Sequence, residues 1–183
     1  MNARVLFAVA VLSSVAPAGA AGQGTGTRVS VQGAVGTDIN AGGDSQSVSI
    51  GFSLNERLDI LIGAERFHWP TEVTRSDARD FSATRGGTTT FISGEVRFLL
   101  FTFNRLSPHV LTSAGYGNSR PNVNDIFPDR VTNGATLLFF GGGVRIALTE
   151  RLSAFADTRF GIQAERDSII GLAPVRGGVA WRF

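Results

Sequence analysis

The fold of this protein is decided by residues 46–67, whose sequence is QSVSIGFSLNERLDILIGAERF. On both sides of the polar tripeptide 55–57, apolar side chains recur at every second position, as in Val48, Ile50 and Phe52. Alternation with period two is typical of β-strands that have one apolar and one polar face. The stretch therefore predicts a β-hairpin with a tight turn.

The same alternation recurs along the chain from residue 28 onward. We place eight strands near residues 28–37, 46–54, 58–67, 88–100, 106–117, 136–148, 151–162 and 173–183. Their tight connections are Asn55-Glu56-Arg57, Phe101 to Arg105 and Thr149-Glu150, and their longer connections are 38–45, 68–87, 118–135 and 163–172. Short turns at one end and long loops at the other predict an all-β, up-and-down antiparallel sheet.

The composition excludes several classes of protein. Of the 183 residues, 43% are hydrophobic and 17% are charged, which is too apolar for a disordered chain. The 23 glycines argue against long helices, because each costs about 1 kcal/mol in a helix. Cysteine is absent, so the chain has no disulfide or thiolate site. A net charge of +2 argues against a nucleic-acid partner.

The two faces of the predicted strands differ sharply in charge. One face is apolar and carries a single charged residue, Arg66, close to a long loop, where its side chain can reach a polar boundary. The charged side chains assigned to the opposite face are Arg28, Asp59, Glu65, Glu95, Arg97, Arg145, Asp157, Arg159, Arg176 and Arg182.

The apolar face is expected to point outward, toward lipid. The chain contains no lysine, which a soluble barrel would use on its exposed face and edges. Glycine and serine crowd the charged face, which suits a narrow interior. Strands of 9 to 11 residues, tilted by ~45°, match the height of a bilayer's hydrocarbon core. We therefore predict a transmembrane eight-stranded antiparallel β-barrel. A soluble periplasmic barrel with the apolar face inside is the alternative.

The first twenty residues have the pattern of a secretory signal peptide. Arg4 supplies a positive start, Val5 to Leu12 form an apolar run, and Ala18-Gly19-Ala20 is a small-residue cleavage site. We predict a signal peptide over 1–20 and a barrel domain over 21–183. No later stretch is long and apolar enough for a membrane helix.

The last segment, Gly177-Gly178-Val179-Ala180-Trp181-Arg182-Phe183, resembles the closing strand of bacterial outer-membrane β-barrel proteins. Over all eight strands the pattern is most similar to the small eight-stranded outer-membrane barrels of the OmpA and OmpX types, and residues 141–152 look like their sixth strand, tight turn and seventh strand. The resemblance implies location in the outer membrane, with the tight turns in the periplasm and the long loops outside the cell. It also implies lipid and the barrel-assembly machinery as partners, the latter recognising Val175, Val179, Trp181 and Phe183.

An eight-stranded barrel has room for little more than its own side chains. We therefore predict a lumen plugged by Arg–carboxylate pairs, since an unpaired interior charge is costly. Judged by height along the strands, Asp157 lies level with Arg176 and Arg159, and Asp59 lies near Arg97. The complete set is Asp59, Glu65, Glu95, Arg97, Arg145, Asp157, Arg159 and Arg176. An ion pathway lined by the same charges is the alternative.

No catalytic, metal or cofactor site is predicted. His68 is expected at the outer membrane boundary without a serine partner, and His109 is expected in the lumen as a hydrogen-bonded filler. The segment Asp38 to Asp44 superficially resembles a calcium loop but lacks the later glutamate ligand. The charges of residues 72–85 suit a solvated loop, and Ile126-Phe127-Pro128 an apolar loop tip over the barrel mouth.

The predicted function is that of a monomeric outer-membrane barrel with a structural or surface-interaction role, without enzymatic activity. Two alternatives stay open. One is a barrel that binds small hydrophobic molecules or passes them sideways into the membrane, for which a gap beside the glycine-rich sixth strand would be needed. The other is an enzyme that modifies membrane lipid. The sequence names no ligand for the loops.

Overall fold

The structure, a computed structural model, describes residues 28–76, 81–122, 133–165 and 169–183. These residues form strands β1 (Arg28–Asp38), β2 (Asp44–Ser53), β3 (Leu58–Ser76), β4 (Phe81–Leu99), β5 (Leu106–Pro121), β6 (Asn133–Ala147), β7 (Leu152–Glu165), β8 (Ile169–Leu172) and β9 (Pro174–Arg182). Within these ranges no helix has the length and apolar character needed to cross a membrane.

The strands close into one antiparallel barrel. Each of β1 to β6 pairs with the next strand, and β7 pairs with both β8 and β9. The barrel closes where β9 pairs with β1, from Ser30 opposite Arg182 to Asp38 opposite Pro174. Only Ala173 separates β8 from β9, so the two segments together occupy the position of the eighth strand of the barrel. The predicted eight-stranded up-and-down barrel is confirmed.

Side chains alternate between the outside and the inside of the barrel wall. Large apolar residues on the outside are widely exposed, for instance Ile92 at 72% and Phe140 at 68%. On the inside, Arg97 and Arg159 are each only 1% exposed. This is the reverse of a soluble barrel, in which the apolar face would be covered.

The tight turns lie together at one end of the barrel, which we call the short-turn end. The Asn55 Oδ1 atom accepts hydrogen bonds from the backbone N–H groups of Arg57 and Leu58, at 2.8 and 2.9 Å. The Thr149 hydroxyl oxygen accepts hydrogen bonds from the backbone N–H groups of Arg151 and Leu152, at 3.2 and 2.9 Å. Asn104, with a φ of 53°, turns the chain into β5. These side-chain acceptors stabilise turns that have few backbone partners.

The strands run further than predicted at the other end, which we call the long-strand end. The predicted loop 68–87 is largely β structure, because β3 continues to Ser76 and β4 begins at Phe81. The predicted loop 163–172 was likewise too long, since it contains the end of β7 and all of β8. Residues 70–85 and 163–168 lack the alternation of apolar and polar residues that marks a strand in the sequence, so local pattern predicted loops there.

Candidate functional site

The lumen is the candidate site, and its centre holds four charged side chains that pair with one another. Glu95 accepts a hydrogen bond from Arg97 at 2.6 Å and another from Arg176 at 2.5 Å. Arg176 also donates to Asp157 at 2.6 Å, and Arg97 lies 3.9 Å from the other oxygen of Asp157. Two carboxylates and two guanidinium groups therefore close a neutral ring across the barrel.

Two further ion pairs flank this ring. Toward the short-turn end, Arg145 donates to Asp59 at 2.6 Å, and the Ser53 hydroxyl donates to the second oxygen of Asp59 at 2.7 Å. Toward the long-strand end, Arg159 donates to both carboxylate oxygens of Glu65, one of them at 3.0 Å. We call the eight residues of the ring and the two pairs the ion-pair layer. All four of its acids are 6% exposed or less.

The structure changes two of the predicted partners. Asp157 lies beside Arg176, as the heights along the strands suggested, but Arg159 binds Glu65 and not Asp157. Asp59 faces Arg97 in the β3–β4 register, yet its ion pair is with Arg145. Arginine side chains are long enough to cross the lumen, so register between adjacent strands does not determine which acid each one meets.

An apolar cluster fills the lumen on the long-strand side of the ion-pair layer, and sequence reasoning missed it. It consists of Phe67, Phe91, Ala135, Leu137, Phe139 and Leu172, each no more than 3% exposed, and we call it the aromatic layer. The Phe67 ring meets the Phe91 ring edge to face at 6.1 Å. The Arg159 guanidinium lies 4.6 Å from the centre of the Phe139 ring and so joins the two layers.

The signal for this layer was present in the sequence. Phe67, Phe91 and Phe139 occupy positions on the charged face of their strands, where an apolar ring breaks the alternation. Their positions alone do not show that the rings pack together, because contacts across the lumen depend on how the barrel closes.

A polar cavity of about 230 Å³ opens at the short-turn end. Its lining includes both members of the Asp59–Arg145 pair, with Ser107 and Arg182 among the remaining residues. The ion-pair layer therefore forms the inner wall of this cavity.

Neither histidine side chain has a hydrogen-bond partner among the described residues. His109 is 2% exposed, and neither ring nitrogen has a hydrogen-bond partner among the described residues, which differs from the expected hydrogen-bonded filler. Its neighbours across the ladder are Leu99 and Gly143, which offer no hydrogen-bonding side chain. His68 lies on the outer wall between Asp44 and Thr88, and no hydrogen bond joins these three side chains in the described part of the chain.

Asp38 has a structural role in the segment that superficially resembled a calcium loop. Its carboxylate accepts hydrogen bonds from the backbone N–H groups of Asn40, Ala41 and Ala173, at 2.9, 2.6 and 2.8 Å. One carboxylate thus holds the β1–β2 turn and the junction of β8 with β9 together. Among the described residues, no three His, Asp or Glu side chains are grouped as metal ligands.

The glycine-rich strand β6 pairs without interruption on both sides. Its register with β5 runs from Ile146 to Asn133, and its register with β7 runs from Ala147 to Ala135. The lateral gap that sideways passage of a hydrophobic molecule would need does not occur along these described residues.

The four residues that the resemblance assigns to barrel assembly lie on the outer wall, at the C-terminal end of the chain. Val175, Val179, Trp181 and Phe183 are between 39% and 45% exposed. Strand β9, which ends one residue before Phe183, pairs with β1 on one side and with β7 on the other.

The predicted charges and apolar tip of the outer loops fall mostly beyond what the structure covers. Residues 123–132, including Ile126-Phe127-Pro128, lie outside the described residues, as do 1–27 with the predicted signal peptide. Of the segment 72–85, the backbone pairing of β3 with β4 is described.

Comparison with known proteins identifies the fold. No protein-family model matches the chain, and no curated protein matches it. The N-terminal β-barrel domain of Pseudomonas aeruginosa OprF is similar in structure, with 18% sequence identity, a TM-score of 0.58 and coverage of 85% of this chain and 97% of that one.

Two further solved structures are similar over comparable lengths. Neisserial surface protein A shares 13% identity with a TM-score of 0.60, covering 86% of this chain and 96% of its own. Ail, the attachment invasion locus protein of Yersinia pestis, shares 13% identity with a TM-score of 0.51, covering 86% of this chain and 97% of its own. These neighbours are small eight-stranded outer-membrane β-barrels, and the chain has their fold.

Proposed function

We propose that this protein is an outer-membrane β-barrel with a structural or surface-interaction role. The observation that carries the proposal is the polarity of the barrel wall, which exposes apolar side chains outward and buries ion pairs inside. Lipid is the surroundings in which such a wall is stable, because a closed barrel satisfies every strand's backbone groups internally. In this proposal the signal peptide directs export, and the barrel-assembly machinery and outer-membrane lipid are the partners of a monomer.

The surface role is supported by the β3–β4 hairpin, which projects beyond both of its neighbours. Pairing with β2 ends at His68, whereas pairing with β4 continues to Ser76 opposite Phe81. At about 3.3 Å per residue, the eight residues after His68 extend roughly 25 Å further. The register shifts between Trp69 and Glu72, where Pro70 has no N–H group to donate. A long strand pair with edges unpaired by the described strands is a surface for contact with other molecules.

The first prediction tests the membrane barrel itself. We expect the protein to sediment with the outer-membrane fraction and to need detergent for extraction, because its exposed wall is apolar. On a denaturing gel, unboiled and boiled samples should migrate differently, since closed barrels keep their backbone bonds until heated. A chain that dissolves without detergent and migrates identically in both samples would contradict the proposal and favour the soluble barrel.

The second prediction concerns the lumen, which we propose is closed to ions by the ion-pair layer. In a planar bilayer we expect the wild-type barrel to pass no steady current. The variant Phe67→Ala/Phe91→Ala removes two rings of the aromatic layer. It should also pass no steady current, because the ion pairs still fill the cross-section of the lumen. A steady current in the wild type would indicate an ion pathway. A current confined to the variant would show that the aromatic rings, and not the ion pairs, close the lumen.

A further inference from the structure

Two arginines face outward at the long-strand end, where the apolar wall gives way to polar residues. Register places Arg66 on β3 in one row with Thr90 and Asn118. The next row toward the long-strand end places Arg120 on β5 beside Thr88. Arg66 was the single charge on the apolar face in the sequence, and Arg120 joins it because β5 extends to Pro121. We call Arg66 and Arg120 the arginine patch.

Neither arginine of the patch has a carboxylate partner in the described part of the chain. Both side chains are exposed, and neither takes part in a hydrogen bond or an ion pair there. Asp44 on β2 lies two residues from Gln46, which is opposite Arg66, but no ion pair joins Asp44 to Arg66, and two strands separate Asp44 from Arg120. Every arginine of the ion-pair layer is paired, whereas the patch carries positive charge that no acid among the described residues neutralises.

The Tyr116 hydroxyl lies on the same side of the wall. Tyr116 is 67% exposed, and its hydroxyl oxygen would lie 2.7 Å from a Cβ atom added at Gly134. Gly134 lies opposite Asn118, in the row of Arg66. The ring therefore leans toward the long-strand end and brings a hydrogen-bond donor to the level of the patch, as aromatic side chains at membrane boundaries do.

A groove in the apolar wall lies on the short-turn side of the patch, on strands β4 to β7. It shares β5 with Arg120, and its edge on β4 adjoins the strand of Arg66. It has a volume of about 510 Å³, and its lining residues include Gly94, Val96, Ala114, Leu138 and Phe140. A Cβ atom added at Gly94 would meet nothing within 4 Å, so the glycine leaves open space in the wall. The Thr112 hydroxyl donates to the Phe139 carbonyl at 3.1 Å, which leaves it satisfied. We call this feature the outer-wall groove.

The depth of the groove suits an acyl chain whose headgroup rests on the patch. Gly94 lies four residues along β4 from Thr90, which is about 13 Å along the strand and roughly 9 Å in depth for a strand tilted by ~45°. Half of a bilayer's hydrocarbon core is about 15 Å thick. A chain that descends from a headgroup at the arginine patch therefore reaches the groove within one leaflet.

We propose that the arginine patch and the outer-wall groove together form a binding site for a lipid with a phosphorylated headgroup. The phosphate accepts hydrogen bonds from Arg66 and Arg120, whose guanidinium groups match phosphate geometry, and one acyl chain fills the space beside Gly94. This inference rests on the proposed function and on the orientation that the resemblance implies, in which the tight turns lie in the periplasm and the long-strand end faces outward from the cell.

The test measures retention of lipid A by the purified full-length barrel. Protein in detergent micelles is titrated with lipid A that carries its phosphates, or with the dephosphorylated form, and native mass spectrometry counts the bound lipid. We expect the Arg66→Gln/Arg120→Gln variant to bind the phosphorylated lipid about tenfold more weakly for each arginine removed, a factor equivalent to ~1.4 kcal/mol per step. Gly94→Leu, which fills the groove, should weaken binding of both lipids by roughly tenfold.

Matched controls separate the site from general charge and shape. Arg57→Gln/Arg105→Gln removes two exposed arginines at the short-turn end, and Gly177→Leu adds the same side chain to the outer wall of β9. Both control variants should bind like the wild type. Equal affinity for phosphorylated and dephosphorylated lipid, or equal loss in the control variants, would overturn the lipid site.

The same samples are run unboiled and boiled on a denaturing gel. A heat-dependent shift without selective lipid binding rejects this inference and leaves the proposed membrane barrel intact. Absence of the shift in the wild type rejects both.

Discussion

Replacing Glu95 with leucine is expected to lower the free energy of unfolding by about 3–5 kcal/mol, a large share of a domain's total stability. Glu95 binds Arg97 and Arg176 at 2.6 and 2.5 Å in the interior of the barrel. Without Glu95, Arg176 still pairs with one carboxylate oxygen of Asp157 at 2.6 Å. The nearest acid to Arg97 is then the other oxygen of Asp157, at 3.9 Å. An interior guanidinium without a close counter-charge carries the full cost of desolvation.

A compensating variant makes this prediction specific. The variant Glu95→Leu/Arg97→Met also removes the unpaired guanidinium of Arg97 and leaves the Asp157–Arg176 pair electrically neutral. Most of the lost stability should therefore return. Urea titration in vesicles, followed by fluorescence of the two tryptophans, measures all the variants. Glu56→Gln, at an exposed turn residue, is the control and should stay within about 0.5 kcal/mol of wild type. If the double variant were as unstable as Glu95→Leu, loss of packing and not the unpaired arginine would explain the effect.

Adding a single methyl group at Gly161 is expected to destabilise the barrel by about 3 kcal/mol or more. A Cβ atom at this position overlaps the carbonyl oxygen of Leu138 and comes within 2.5 Å of the Phe139 ring. Gly161 lies opposite Phe139 in the β6–β7 register, so its missing side chain makes the room that the aromatic layer occupies. Overpacking costs about 1–3 kcal/mol when side chains can yield, and here a backbone atom stands in the way.

The control for Gly161→Ala is the same substitution at Gly94, on the outer wall. An added Cβ atom there meets nothing within 4 Å, so Gly94→Ala should be neutral, or slightly stabilising because the unfolded chain loses freedom. The yield of the heat-sensitive compact form on unboiled gels and the urea midpoint compare the two variants. Equal stability of Gly161→Ala and Gly94→Ala would show that the wall adapts and that the close approach at Gly161 is not required.

Much of the wall could be predicted from local pattern. Alternation at Val48, Ile50 and Phe52 identified a strand and its outward face without any knowledge of its neighbours, because side chains point to opposite sides at every step along a strand. The same argument placed Asp59, Glu65, Glu95 and Asp157 inside. In β3 beyond His68 the sequence does not alternate between apolar and polar residues, so local pattern predicts a loop where the structure has a strand.

The sequence by itself therefore determined the strand count, the up-and-down antiparallel order and the polarity of the wall, since each follows from a period of two residues and from the length of the connections. Only the tertiary structure decided which acid pairs with which arginine, that aromatic rings fill the lumen above the ion pairs, and that Arg66 shares the outer wall with Arg120. These features depend on distances across the barrel and between strands far apart in the chain. Such distances are set by closure and register, which no local pattern encodes.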